Sequence, residues 1–430
     1  MTLSWVQIAR LGLVQMALGA VVVLTTSTLN RLMVVELALP AVLPGALVAL
    51  HYGVQITRPN WGFRSDTGGG RTRWIIGGMA VLAIGALLAT SAILVFPVSF
   101  GQALGLSIFA YAMIGFGVGA SGTSLLALLA TATAPKRRAA AATITWLMMI
   151  LGIAATAGIV GALLDPYSDG RLMRIVGVVA AIAIALTALA VWGIESRVTV
   201  SDEKREEMRF FEGMREIWAE RHARNFTLFV FLSMTAYFMQ ELILEPYAGL
   251  VFEFSPGQST ALAGAQNGGV FLGMVTVGVL CTGLRWGSLR AWVIGGCVGS
   301  ALSLTIISVM GTIGPGAPLT PAVVLLGFCN GTFAVAAIAA MMALAGQGRH
   351  RREGTRMGLW GAAQAIAAGF GGLLGAASVD LLRAVMSGPV QAFGTVFVFE
   401  ALLFLASAVV AARVMEGREP PTPAAMVPGE

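Results

Sequence analysis

The chain has few charged residues, and this scarcity excludes a water-soluble globular protein. Only 11% of its 430 residues are Asp, Glu, Lys or Arg, while 57% are hydrophobic; soluble domains carry about 25% charged residues. A transmembrane helix needs about 20 apolar residues, so a chain of this length with realistic loops holds about 12 spans. We therefore predict an all-α integral membrane protein.

Residues that usually mark catalysis, metal binding or redox chemistry are also scarce. The three cysteines lie in apolar runs without C-x-x-C spacing, which indicates small buried side chains. The three histidines lie far apart, and no Walker A, H-E-x-x-H or G-x-S-x-G sequence occurs. We expect no catalytic residue, no metal site and no enzyme activity. The net charge of +6 would favour nucleic acid in a soluble protein; here we expect a lipid bilayer and no nucleic acid.

Glycine is abundant, with 54 residues, and its motifs are typical of helix packing. Residues 117–122 match the dinucleotide-binding fingerprint, but they lie inside an apolar span with no preceding strand. The pairs Gly269/Gly273 and Gly327/Gly331 have the spacing of closely packed membrane helices. We interpret both patterns as packing sites.

Apolar runs bounded by charged or turn residues predict twelve transmembrane helices in two sets of six. The first set lies at about 10–30, 37–57, 74–96, 102–130, 140–164 and 172–194, and the second at about 225–251, 260–283, 290–312, 319–346, 356–382 and 393–413. The first run lacks the cleavage site of a signal peptide. The chain then divides into a six-helix bundle at 1–194, a cytoplasmic linker at 195–224, a second bundle at 225–416 and a Pro-rich tail at 417–430, which we expect to be disordered.

The distribution of Lys and Arg predicts the orientation of these spans. With this helix count, 23 of the 27 basic residues fall on one side of the membrane and 4 on the other. Cytoplasmic loops collect Lys and Arg, and one missed helix in the middle would destroy the asymmetry. We predict a bacterial inner-membrane protein with both termini in the cytoplasm.

The linker contains a second periodic pattern. Apolar residues recur at helical spacing among charged ones, at Phe210, Phe211, Met214, Ile217 and Trp218. This pattern favours an amphipathic helix on the cytoplasmic membrane surface. A solvated linker with chance periodicity is the alternative.

Two six-helix halves joined by a long cytoplasmic loop are typical of the major facilitator fold, whose halves repeat about an axis along the membrane normal. The loop at 62–71, G-F-R-S-D-T-G-G-G-R, resembles the major facilitator motif G-x-x-x-D-R-x-G-R-R, with Thr67 in place of an arginine. We predict that Gly62, Asp66 and Arg71 form a cytoplasmic charge latch between helices.

Ionisable side chains within the hydrocarbon region are costly and are functional candidates by default. The predicted cleft or gate residues are Arg31, Glu36, Glu241, Glu245 and Glu400. Arg31, Glu36 and a further candidate, Asp380, lie near the interface and could instead be hydrated.

Glu241 and Glu245 are the strongest pair among these candidates. They are four residues apart on the seventh span and therefore share one helix face. Pro246 follows directly and is expected to kink the helix.

Arg31 and Glu245 lie at matching depth, each about 20 residues after the start of equivalent first and seventh spans. We expect Arg31 to pair with Glu245, or with Glu36 and Glu245 together, and to close the outer side of a central cleft. The alternative is a local pair between Arg31 and Glu36 across the first loop.

Of the three histidines, only His51 lies within a predicted span. A neutral imidazole could ligate the magnesium of a chlorin. The alternative is a packed, hydrogen-bonded side chain, for which Gln55, one turn later, is a possible partner.

Several of these segments resemble the PucC/LhaA family, the bacteriochlorophyll-delivery branch of the major facilitators. They are L-N-R-L-M-V-V-E-L at 29–37, A-L-H-Y at 49–52, R-S-D at 64–66 and Q-E-L-I-L-E-P-Y-A-G at 240–249, the last being the most specific. The short Gly68-Gly69-Gly70 stretch departs from the longer basic loop of the family.

This resemblance implies a role in assembling photosynthetic complexes in the intracytoplasmic membrane. It implies bacteriochlorophyll or a precursor as cargo, no firm cofactor, and light-harvesting or reaction-centre apoproteins or bacteriochlorophyll synthase as partners. A tailed chlorin is apolar, so a membrane cleft would shield it. The alternatives are a proton-coupled transporter of a small solute, with Glu241, Glu245 or Glu400 as proton carrier, and an accessory subunit of bacteriochlorophyll synthase.

Overall fold

A computed structural model describes residues 3–55, 70–134, 137–195, 220–283, 286–346 and 353–415. These ranges contain twelve main helices and no strand. The helices are α1 (Trp5–Glu36), α2 (Val42–Val54), α3 (Arg71–Val95), α4 (Phe100–Ala132), α5 (Arg138–Leu164), α6 (Asp169–Val191), α7 (Arg221–Phe252), α8 (Pro256–Gly278), α9 (Leu289–Ile313), α10 (Leu319–Gly346), α11 (Glu353–Val385) and α12 (Pro389–Val414). Eleven are long and apolar enough to cross a membrane, and the described part of α2 is shorter. The predicted amphipathic helix and the C-terminal tail lie outside the described residues.

The chain enters and leaves these helices alternately at two ends of the bundle. We call the end that carries the α1–α2, α5–α6, α7–α8 and α11–α12 connections the outer end, and the opposite end the inner end. The sequence predicts that the inner end is cytoplasmic.

The predicted boundary between the first two helices is wrong. We expected α1 to end at residue 30 and the next helix to begin at 37, but α1 continues to Glu36 and α2 begins at Val42. Pro40 disfavours a helical conformation at the residue before it and lacks an amide hydrogen, so the break falls beside Pro40. Glu36 therefore belongs to the end of α1 and not to the start of α2.

The outer part of α1 is not a uniform α-helix. Two π-helical turns, Leu24–Thr28 and Leu32–Glu36, flank a short α-helical stretch. Turns of this kind are uncommon and occur frequently at functional sites. The residues in and between them are almost all buried and include several polar side chains.

The buried residues form two main hydrophobic cores. One is built almost entirely from α1–α6 and the other from α7–α12. The two halves meet along the helix pairs α5–α8 and α2–α11, and α1 contacts α7 near the outer end. This arrangement is the two-bundle architecture of the major facilitator fold.

Glycines bring several helix pairs into backbone contact, as their motifs predicted. A Cβ on Gly117 would lie 2.5 Å from the amide nitrogen of Leu82, which places this fingerprint residue at the α3–α4 contact. A Cβ on Gly269 would lie 2.9 Å from the amide nitrogen of Phe328, at the contact of α8 and α10. Small residues of this kind allow membrane helices to approach closely.

Candidate functional site

Polar side chains on the outer part of α1 bond directly to the other half of the molecule. The hydroxyl of Ser27 donates to Oε1 of Glu245 on α7. Nδ2 of Asn30 donates to the carbonyl oxygen of Leu242, at 2.7 Å. The hydroxyl oxygens of Thr28 and of Thr260 on α8 lie 3.1 Å apart. These groups are buried, so each bond satisfies a polar group that would be costly to leave unpaired.

Arg31 joins the end of α1 to the connection after α7. Its Nη1 forms an ion pair with Glu36, and its Nη2 donates to the carbonyl oxygen of Phe254 at 2.7 Å. The Arg31 side chain is 3% exposed and that of Glu36 is 45% exposed. The alternative local pairing is thus the one observed, although it lies within α1 and not across a loop. In the described structure Glu245 makes no ion pair with Arg31 and accepts its hydrogen bond from Ser27.

Two aspartates cap helix N-termini that belong to the opposite half. Asp165, after α5, accepts hydrogen bonds from the hydroxyl of Ser255 at 2.6 Å and from the amide of Gly257 at 3.3 Å, where α8 begins. Asp380 of α11 accepts from the amides of Ala41 and Val42, at 3.0 and 2.7 Å, where α2 begins.

These two caps follow the internal repeat of the fold. Because the halves repeat about a common axis, α2 corresponds to α8 and α5 to α11. Each half therefore holds the same helix of its partner by a carboxylate at the helix N-terminus, where the backbone dipole favours negative charge.

Together these contacts form what we call the outer closure: Ser27, Thr28, Asn30, Arg31, Asp165, Glu245 and Asp380 with their partners. The sequence identified Arg31, Glu245 and Asp380 but missed the others. The run of Thr, Ser and Asn at 25–30 within an apolar span was a usable signal. No sequence signal pointed to Asp165, because the helix that it caps begins about 90 residues later.

Glu241 lies on the inner side of the outer closure. It is one turn before Glu245 on the same face of α7, and that face is the one that contacts α1 through Ser27. Its side chain is partly exposed, whereas Glu245 is buried. Glu241 therefore lies one turn toward the inner end from the bond between Ser27 and Glu245.

Two other predicted site residues lie away from the closure. Glu400 is fully buried on the face of α12 that packs inside the C-terminal half. His51 is 2% exposed, and its Nε2 lies 3.0 Å from Nε2 of Gln55. The expected Gln55 partner is thus present, and this geometry favours a packed histidine over the predicted pigment ligand.

One residue of the predicted cytoplasmic latch lies among the described residues. Gly62 and Asp66 lie outside the described residues, while Arg71 begins α3. The carboxylate of Glu195, at the end of α6, accepts hydrogen bonds from the amides of Arg71 and Thr72 at 2.7 and 2.9 Å. Partial burial opposes ionisation of Glu195, but these donors and the Arg71 charge outweigh it, so the pKa of Glu195 is lowered. Glu195 therefore ties α6 to α3 at the inner end, a role that the sequence did not indicate.

Comparisons with known proteins agree with this architecture. A solved nucleoside transporter, NupG, superposes with a TM-score of 0.71 at 13% identity, covering 96% of this chain and 99% of the transporter. At that identity the likeness shows the fold alone, which is the major facilitator fold.

The sequence relatives are more specific. The chain is 66% identical over 97% of both lengths to a Rhodobacter capsulatus protein named bacteriochlorophyll synthase 44.5 kDa chain. It is 31% identical to Protein PucC of Cereibacter sphaeroides, covering 94% of this chain and 91% of that relative. The family described as PUCC protein matches residues 28–419. The chain therefore belongs to the PucC family, with a major facilitator fold.

Proposed function

We propose that this chain is a non-enzymatic membrane factor that receives bacteriochlorophyll between its two halves and passes it to light-harvesting or reaction-centre apoproteins. The observation that carries the proposal is the match to the PucC family over residues 28–419, together with a 66% identical relative whose name connects it with bacteriochlorophyll. A protein of this kind would act in the inner photosynthetic membrane, with both termini in the cytoplasm.

The geometry supports handover within the membrane and not across it. Among the described residues, the polar bonds between the halves lie at the outer end, in the outer closure, and we place Glu241 in the wall of a space between the halves on its inner side. A ligand site that is mainly apolar with a few placed polar groups suits a chlorin with a long hydrocarbon tail. In its neutral form the Glu241 carboxyl could donate a hydrogen bond to a ring carbonyl of the pigment.

Two alternatives have an observation in their favour. The name of the 66% identical relative favours an accessory subunit of bacteriochlorophyll synthase. The transporter fold and the acids of α7 favour a proton-coupled transporter of a small solute. The three functions differ in what the purified protein carries.

The test is an absorption spectrum of protein purified in mild detergent from pigment-producing cells. We expect bound bacteriochlorophyll, and several-fold less of it in Glu241→Ala. The matched control is Glu253→Ala, which removes an exposed carboxylate at the end of the same helix and should leave the pigment unchanged. Co-purification of a synthase would favour the accessory subunit. Pigment-free protein that moves a solute down a proton gradient would overturn the proposal.

A further inference from the structure

A buried polar cluster lies inside the C-terminal half, apart from the outer closure. Glu400 is fully buried, and neither of its carboxylate oxygens has a hydrogen-bond partner among the described residues. The same holds for both amide atoms of Gln240, which is 1% exposed, and for Nδ2 of the fully buried Asn330. Five unpaired polar atoms in one bundle core are unusual, because buried polar groups almost always have partners.

Contacts between neighbouring aromatic rings show that Glu400, Gln240 and Asn330 lie at the same height along the bundle axis. The ring centroids of Tyr237 and Phe333 lie 6.4 Å apart, and those of Phe333 and Phe404 lie 5.6 Å apart. These contacts connect α7, α10 and α12 across the centre of the bundle.

The three polar residues lie one turn from these rings. Gln240 is three residues after Tyr237 on α7, which runs toward the outer end. Asn330 and Glu400 are three and four residues before Phe333 and Phe404, on helices that run toward the inner end. Residues three or four apart share a helix face, so all three residues lie at one level of the bundle core, one turn outward from the rings. Ser300 of α9 joins them, because its hydroxyl donates to Oδ1 of Asn330 at 2.8 Å.

The charge state of Glu400 follows from what surrounds it. No basic side chain of the described residues forms an ion pair with it, and an unpaired carboxylate in such a core costs several kcal/mol. The titratable groups on the helices around it are Tyr237, Tyr247, Cys297 and Cys329, all neutral near pH 7. Glu241 is a further titratable group, four residues after Tyr237 on α7, whereas Glu245 bonds to Ser27 in the outer closure.

The polar groups at this level of the core match a neutral Glu400 in their hydrogen-bonding chemistry. A protonated carboxyl group donates one hydrogen bond and accepts others, and an amide group does both. The Gln240 amide can accept the carboxyl proton and donate in return, and Nδ2 of Asn330 can donate as well. An ionised carboxylate would leave the Gln240 carbonyl oxygen without a donor.

We propose that Glu400, Gln240, Asn330 and Ser300 form a proton-binding site in the core of the C-terminal half, with the proton on Glu400. The site is separate from the space in which we place the pigment. Gln240 connects it to that space, because we place its neighbour Glu241 in the wall between the halves. Proton uptake here can therefore bias the position of α7 without any contact with the cargo.

Infrared spectroscopy of the purified protein tests the site directly. We expect a carbonyl band of a protonated carboxyl group that shifts in D₂O and is lost in Glu400→Gln. The control Glu253→Gln should keep the band. Gln240→Leu should keep the band but move it, because the carboxyl loses its partner. A Glu400→Gln spectrum identical to that of the wild type would overturn the proposal.

Thermal unfolding of the wild type adds a test that needs no variant to fold. We expect the contribution of this site to the unfolding temperature to fall as pH rises above about 5, because the unfolded chain has then released a proton that the folded chain retains. This dependence should be weaker in Glu400→Gln. Replacing choline with sodium should have no effect; stabilisation by sodium that Glu400→Gln abolishes would show a metal-cation site instead and would overturn the proposal. Neither readout depends on pigment, so failure here leaves the proposed function intact.

Discussion

At the scale of single residues, the two bonds of the Arg31 side chain have different roles. Its guanidinium is buried and makes two bonds, one to the partly exposed Glu36 and one to the carbonyl oxygen of Phe254. Only the second bond crosses between the halves. The ion pair therefore positions Arg31, while the carbonyl contact contributes to the outer closure.

We expect Arg31→Met to destabilise the protein more than Glu36→Gln. The first change removes both bonds and should cost about 1–3 kcal/mol. Glu36→Gln keeps a side-chain oxygen that accepts a hydrogen bond from Arg31. The position is partly exposed, and ion pairs at such positions contribute about 0–1 kcal/mol. The measurement is the unfolding temperature in detergent. Equal losses in the two variants would mean that Arg31 acts only through the charge of Glu36.

At the scale of helices, glycines bring the backbones of α5 and α8 into close contact where the two halves meet. A Cβ on Gly161 would lie 2.5 Å from the amide nitrogen of Ala261 and 2.7 Å from the carbonyl oxygen of Gly257. Gly158, one turn earlier on α5, has open space at its Cβ position. Two glycines of one helix thus have different roles.

Gly161→Ala should therefore be destabilising, and Gly158→Ala should not. The first forces α5 and α8 apart and should cost about 1–3 kcal/mol, as overpacking usually does. The second should be neutral or stabilising by up to about 1 kcal/mol, because alanine favours helix. Both are checked by thermal unfolding under identical conditions. If Gly161→Ala unfolds like Gly158→Ala, the two helices are not in the close contact described.

Helix existence could be predicted from the sequence far better than helix contacts could. Hydropathy is a property of neighbouring residues, so all twelve helices were recognisable. The break between α1 and α2 was misplaced because the charged residues Arg31 and Glu36 resemble the ends of a short loop in sequence, although they form an ion pair within α1.

At the scale of the whole molecule, the outer closure distinguishes transport from handover. Transport across the membrane requires the halves to separate at the outer end in each cycle. Lateral delivery of a pigment does not require that motion. Thr28 and Thr260 lie at the closure with their hydroxyl oxygens 3.1 Å apart, and replacing both with cysteine would place two thiols within reach of a disulfide.

We expect oxidised Thr28→Cys/Thr260→Cys protein to support assembly of pigment–protein complexes at the wild-type level. The native residues Cys281, Cys297 and Cys329 would be replaced by serine or alanine so that only the new pair can react. The reduced form of the same variant is the control, and the readout is the amount of assembled light-harvesting complex. Assembly lost on oxidation and restored by reductant would mean that the outer end must open.

The sequence by itself determined the class of the molecule, an all-α membrane protein of twelve helices in two halves, and its family; the orientation stays a prediction. These follow from local hydropathy, charge distribution and short motifs. Only the tertiary structure decided that Arg31 pairs within its own helix and that Asp165 and Asp380 cap helices of the opposite half. It also placed Glu245 in the closure and Glu400 inside a bundle. The reason is physical: each depends on which helix faces lie opposite each other, and the residues of the Ser27–Glu245 bond are 218 positions apart in the chain.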